Sequence, residues 1–184
     1  MSYARKWLAA AGLITVLGLS GCQDLSDDLS PDGGDQRPEV AAGSAGSQVS
    51  QLAPLFTAVD SLGVTHTLAG ELATVDGVVL YFTMWCPTCD SHMSHIRSSL
   101  MVNFPNVTFL IVDYVTGSMA VSRAAQLANG YAGFTVLVDT ALSLHKDFDG
   151  GMGVTVVIDS SGIVQFNEDY KDGVKVRATL EALP

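Results

Sequence analysis

Two cysteines separated by two residues, in Trp85-Cys86-Pro87-Thr88-Cys89, are the side chains of this 184-residue chain whose types and spacing point most directly to chemistry. Thiols at this spacing can pass between free and disulfide-bonded states, and the local context decides whether they do. Val78 to Phe82, just before them, is a continuous apolar run rich in β-branched and aromatic residues, which reads as a strand buried on both faces. Just after them, Cys89, Met93, Ile96 and Leu100 recur near helical spacing, so a helix is expected from Cys86 to about Val102, ending before Pro105. A strand running into this helix puts Cys86 at the helix N-terminus. Unpaired backbone N–H groups and the helix dipole favour a thiolate there, below the ordinary thiol pKa of about 8.5. Pro87 suits the first helical position, having no N–H to leave unpaired. Cys89, one turn further in and less exposed, is placed to attack a mixed disulfide on Cys86. The rival reading is an inert disulfide that staples the turn. So small a loop adds little by chain closure, and stapling has no use for Trp85.

The elements around this motif form an α/β pattern. Val107 to Val112, Phe134 to Val138 and Val154 to Ile158 are further strand-like apolar runs. Asp159-Ser160-Ser161-Gly162 is a turn signal after which Ile163 to Phe166 should pair back as a hairpin. Ser118 to Asn129 reads as a helix with Met119, Val121, Ala125 and Leu127 as its apolar residues and Gly130 as its stop. Gly173 to Leu183 reads as a closing helix with Val174, Val176, Leu180 and Leu183 inward. Strand, helix, strand, helix, hairpin and helix predict a central sheet of mixed direction flanked by helices. No glycine-rich phosphate loop follows any of the strands.

The first segment belongs to a different physical class. Residues 1–21 carry Arg5 and Lys6, a short apolar run from Trp7 to Leu19, and small residues before Cys22, the composition of an export signal. The run is shorter than the roughly 20 apolar residues that cross a bilayer comfortably. Residues 22–50 are Asp, Gly, Ser, Pro and Gln with few large apolar side chains, so a flexible tether is expected there and a folded domain over residues 51–184. The chain carries 19 acidic and 9 basic residues, and all the acidic ones follow the export segment. So acidic a surface repels nucleic acid and anionic lipid headgroups, and no basic, aromatic-interleaved stretch is present. No nucleic-acid partner and no cofactor is expected.

Leu19-Ser20-Gly21-Cys22 resembles the bacterial lipobox, and that resemblance implies a lipid on Cys22. Gln23 stands where inner-membrane retention would place Asp, which implies a periplasm-facing anchor in the outer rather than the inner membrane. Lipidation of Cys22 leaves Cys86 and Cys89 in a compartment that permits disulfides. Residues 52 to 183 resemble membrane-tethered thiol–disulfide oxidoreductases of the TlpA/ResA type, within the thioredoxin and redoxin superfamily. The resemblance is carried by Phe56 to Asp60 and Gly63 to Leu68 as an opening hairpin, by Val78 to Phe82 with Trp85-Cys86-Pro87-Thr88-Cys89, and by Gly153 to Gly162. It implies a thioredoxin-like fold, Cys86 and Cys89 as catalytic residues within a surround of Trp85, Pro87, Thr88 and Gly153, disulfide-containing or dithiol exported proteins as partners, and a separate electron donor or acceptor.

Three positions depart from the family pattern. Gly153 stands where a cis-proline faces the cysteines, within Gly150-Gly151-Met152-Gly153, so the sulfurs are expected to lie more open. Leu80 replaces a buried Asp six residues before the first cysteine. His92 replaces a carboxylate three residues after the second, which makes it the candidate for proton handling at Cys89. His95 is a lesser candidate, and His66 and His145 have no sequence neighbours that suggest chemistry. Two rival functions use the same residues. Cys86, Cys89 and His92 are ligand types suited to copper or zinc, and Thr83-x-x-Cys86 resembles part of a peroxiredoxin motif with Val79 where its proline would fall.

Overall fold

Strand β3 (Gly77–Thr83), buried at every residue, forms the middle of a five-stranded sheet in the computed structural model, which describes residues 40–184. The export segment, Cys22 and the first part of the tether lie outside the described residues. In chain order the elements are a two-stranded hairpin of β1 (Thr57–Val59) and β2 (Thr65–Thr67), a short helix α1 (Leu68–Leu72), β3, helix α2 (Pro87–His95), strand β4 (Val107–Asp113), helix α3 (Met119–Ala128), strand β5 (Thr135–Val138), helix α4 (Ser143–Asp147), strands β6 (Val154–Asp159) and β7 (Val164–Asp169), and helix α5 (Val174–Glu181). Helix α2 runs on through a wider turn at Ile96–Leu100 into a last turn at Met101–Asn103.

The sheet order is β5-β4-β3-β6-β7. β3 pairs parallel with β4 and antiparallel with β6, so the direction is mixed as expected. Alternation along β3 sorts its side chains. Val79 and Tyr81 join Met93, Ile96 and Leu100 of the α2 segment and Val176 and Leu180 of α5. Val78, Leu80 and Phe82 join Phe56, Leu68, Leu144 and Phe148 on the other face. Each such side chain adds about 1.5–3 kcal/mol on burial. A one-residue slip would exchange the two faces, so the register is strongly specified. That register turns the Tyr81 hydroxyl toward α2, beneath the cysteines.

Two expectations are corrected. In α3, Met119, Val121 and Leu127 are exposed, and Ser122 and Gln126 are buried instead. Both polar side chains have partners: Ser122 Oγ donates to Asp113, and the Gln126 amide donates to the Tyr131 and Phe134 carbonyls. A polar group so satisfied is buried cheaply, and an apolar count cannot see it. Val174, expected inward, is 65 % exposed. Residues just before 51 also bond to β7. Ser50 N–H donates to the Val164 carbonyl, and Asn167 Nδ2 donates to the Ser47 carbonyl, which carries polar residues of the expected tether onto β7. Among the described residues no helix is long and apolar enough to cross a membrane.

Candidate active site

The chain leaves β3 at Thr83 and turns sharply at Trp85, whose φ of 59° lies in the left-handed region. Two bonds hold that turn. The Trp85 backbone N–H donates to Thr83 Oγ1 at 3.1 Å, and its indole Nε1–H donates to Asp113 Oδ2 at 2.9 Å. Cys86 then caps α2. Its backbone is extended, its Sγ accepts the Cys89 N–H at 3.1 Å, and Pro87 takes the first helical position. The placement expected from sequence is therefore present. Cys86 is half-buried, Cys89 is 1 % exposed, and their sulfurs lie 2.6 Å apart.

The two thiols titrate as a pair. Burial pushes the Cys86 thiol up, the adjacent Cys89 sulfur works the same way, and the backbone N–H groups of Cys89 and Thr88 oppose them. Burial also acts to raise Cys89, but bonds from Cys86, from the Met84 and Cys86 backbone and from the Thr83 hydroxyl carry it down. The first proton thus leaves more readily than from an isolated thiol and the second less readily, because one sulfur's S–H stabilises the other's thiolate. Sequence reasoning placed the depressed value on Cys86 alone. It could not weigh a second sulfur in contact with the first.

Gly153 reaches the site, and the residue before it lies against Cys86. The neighbouring Met152 brings its Sδ to 3.5 Å from Cys86 Sγ. Gly153 itself has φ +80°, donates its N–H to the Phe82 carbonyl at 3.0 Å, and packs against His92. On the other side Tyr114 stacks on His145, and the neighbouring sulfurs help burial to raise its hydroxyl pKa.

Beneath the sulfurs, Tyr81 is fully buried. Its hydroxyl lies 3.0 Å from His92 Nδ1 and faces the Cys89 sulfur. His92 is half-buried, and burial lowers its pKa despite a bond from its ring to the Lys171 carbonyl. Tyr170 packs against His92 at a centroid distance of 4.8 Å and pairs with His95 Nδ1 at 2.7 Å. His66 pairs with Asp60 and Glu71 beside the hairpin.

The structure thus gathers Trp85, Cys86, Pro87, Thr88, Cys89, His92 and Gly153 in one place, with Cys22 outside the described residues. Sequence reasoning missed Tyr81, Asp113, Tyr114, Met152 and Tyr170. Of these, Tyr81 carried a signal: a tyrosine in a strand buried on both faces must find a partner for its hydroxyl. The metal trio of the rival reading is not assembled, since His92 Nδ1 pairs with Tyr81. Among the described residues no three or more His, Cys, Asp or Glu side chains form such a cluster. Arg97 lies over Tyr131, Arg123 bonds Gln126 and Arg177 bonds Ser99.

No family model and no curated protein sequence matches the chain. Solved structures do. A thioredoxin-like protein from Aeropyrum pernix superposes with TM-score 0.58 at 16 % identity, covering 70 % of this chain and 89 % of its own. A secreted Mycobacterium tuberculosis disulfide oxidoreductase, described as homologous to E. coli DsbE, gives 0.55 at 20 %, covering 70 % and 96 %. Peroxidoxin BcpB from Mycobacterium tuberculosis gives 0.59 at 20 %, covering 74 % and 97 %. With its mixed sheet, flanking helices and cysteine pair where the central strand meets a helix, the chain has the thioredoxin-like fold.

Proposed function

We propose that the chain is an exported thiol–disulfide oxidoreductase of the TlpA/ResA type, held by a lipid on Cys22 at the periplasmic face of the outer membrane and exchanging disulfides with exported proteins. One observation carries the redox reading. A half-exposed sulfur caps a helix at the end of the central strand and touches a second sulfur that is buried. Of the pair, Cys86 is the one that offers its sulfur to a partner. Its thiolate attacks one sulfur of a partner disulfide and expels the other as a thiolate. The Cys89 thiolate then attacks Cys86 Sγ, forms the Cys86–Cys89 bond and expels the partner's remaining sulfur. The partner gains two electrons and this chain loses them. Run backwards, the same steps oxidise a partner dithiol. A separate dithiol or disulfide protein must reset the pair.

The anchoring reading rests on the signal-like first segment and on Leu19-Ser20-Gly21-Cys22. Several acyl chains on one residue hold a protein stably on a bilayer, at about 0.8 kcal/mol per buried methylene.

The test is insulin reduction with trapping. Wild type should turn over, Cys86→Ser should not, and Cys89→Ser should accumulate mixed disulfides with clients. Full turnover by Cys86→Ser would overturn the assignment. The equilibrium potential of the pair against glutathione decides its working direction, and acyl labelling abolished by Cys22→Ser tests the anchor.

A further inference from the structure

We infer that Cys86, Cys89 and Met152 form a three-sulfur site on the reduced chain for a soft monovalent metal ion, copper(I) by chemical class. The inference goes beyond the thiol-exchange reading and does not depend on it. Two elements far apart in sequence supply the donors. Cys86 and Cys89 come from the start of α2, and Met152 comes from the loop before β6. Cys86 Sγ is the shared corner, 2.6 Å from Cys89 Sγ and 3.5 Å from Met152 Sδ. Sulfur atoms this close to one another can share a single ion.

The loop that carries Met152 is fixed on both sides of it. Before it, His145 Nδ1 donates to the Gly150 carbonyl, and the Gly150 N–H donates back to the His145 carbonyl at 2.8 Å. Gly150 lies so close to the Phe82 ring that a Cβ there would overlap it. After it, the Gly153 N–H donates to the Phe82 carbonyl at 3.0 Å, and the Gly153 carbonyl accepts the Tyr170 N–H at 2.8 Å. Phe82 belongs to β3, the strand that leads into the cysteines, so thioether and thiols stand on one frame. Donors held in this way are preorganised for their ion. Met152 is 47 % exposed and Cys86 is half-buried, which leaves the ion a path of entry.

The donor set selects the ion. Thiolate and thioether are soft ligands and together suit copper(I). Structural zinc takes four ligands from thiolate, imidazole and carboxylate, and calcium and magnesium take oxygen. The nearby imidazoles are committed: His92 pairs with Tyr81 and the Lys171 carbonyl, and His145 spends Nδ1 on Gly150. The site therefore differs from a Cys86, Cys89 and His92 set by having a thioether in place of the imidazole. The formal net charge of −10 draws cations to the chain.

Protons and electrons balance. On loading, Cys86 and Cys89 release their thiol protons to water and bind as thiolates, and Met152 binds through a sulfur lone pair. No electron moves, and copper and sulfur keep their oxidation states. The Cys86–Cys89 disulfide has no thiolate to give, so the bound ion and the disulfide exclude each other.

The experiment is anaerobic titration of the reduced full-length chain with copper(I) in competition with bicinchoninate, with X-ray absorption to count the sulfur ligands. Wild type should take one ion with three sulfurs, and the diamide-oxidised chain should take none. Met152→Leu should keep two titratable thiols, lose about tenfold or more in affinity and show two sulfurs. A wild-type chain that takes no copper from bicinchoninate overturns the site, and so does a Met152→Leu chain that matches wild-type affinity and sulfur count. Should Met152→Leu not fold, the wild-type count decides, and two sulfurs overturn the site. Insulin reduction without copper separates the two readings. Turnover without copper capture overturns the site alone, and three-sulfur capture without turnover supports the site and overturns thiol exchange.

Discussion

The Trp85 indole donates to the Asp113 carboxylate across 2.9 Å, tying the turn before Cys86 to the end of the neighbouring parallel strand. Thr116 Oγ1 at 2.7 Å and Ser122 Oγ at 2.6 Å donate to the same oxygen, and the Val115 and Thr116 N–H groups donate to its partner oxygen. One buried side chain therefore positions the active-site turn and the start of α3 together. Asp113→Ala leaves the fully buried Ser122 hydroxyl and the indole N–H without an acceptor. A buried unsatisfied group costs about 1–3 kcal/mol. Urea unfolding should show a loss of about 2–4 kcal/mol on that basis, and Trp85 fluorescence should change in the folded state. Asp113→Asn keeps one acceptor oxygen and should lose less. An Asp113→Ala chain as stable as wild type would show that these bonds do not hold the turn.

Met152 covers the attacking sulfur, so its removal should expose Cys86. Met152→Ala should raise the alkylation rate of Cys86 several-fold. Because Met152 is 47 % exposed, the change in stability should stay within about 1 kcal/mol. Iodoacetamide kinetics in a Cys89→Ser background measure the effect on Cys86 alone. An unchanged rate would mean that the thioether does not shield it.

A proline at position 153 should not be tolerated. Proline requires φ near −65° and has no N–H, whereas Gly153 sits at φ +80° and donates to the Phe82 carbonyl. Gly153→Pro should lose about 3 kcal/mol or more, seen as a large fall in Tm. A variant with wild-type Tm would show that this loop adopts a second backbone path.

Asp60 should shape the acid limb of stability. Burial acts to raise its pKa, but the Val64 and Leu62 N–H groups and His66 carry it below 3.8. A carboxylate with a depressed folded value stabilises the fold above its unfolded value of about 3.9 and stops doing so as pH falls through the folded value. Asp60→Asn should therefore be less stable than wild type at neutral pH and lose less on acidification below about pH 4. Urea midpoints across that range measure both. Parallel acid limbs in the two chains would remove Asp60 from the explanation.

The strands, the order of elements and the cysteine motif were legible in the chain itself, because they follow from local rules. Continuous apolar runs become buried strands, and Pro87 beside Cys86 marks a helix start. Cys86 and Cys89 sit three positions apart on that helix, so their meeting needs no long-range information. The surround of the site was not legible. Met152, Asp113, Tyr114 and Tyr170 lie far from Cys86 in sequence, and only the packing of β3, β4, the loop before β6 and the end of β7 brings them together. The inward face of α3 was misread because Ser122 and Gln126 enter the interior through partners on other elements. The titration of the pair also belongs to the tertiary structure. The electrostatic balance between two sulfurs depends on their contact and burial and on the groups that face them, and none of these quantities is a property of neighbouring residues in the chain.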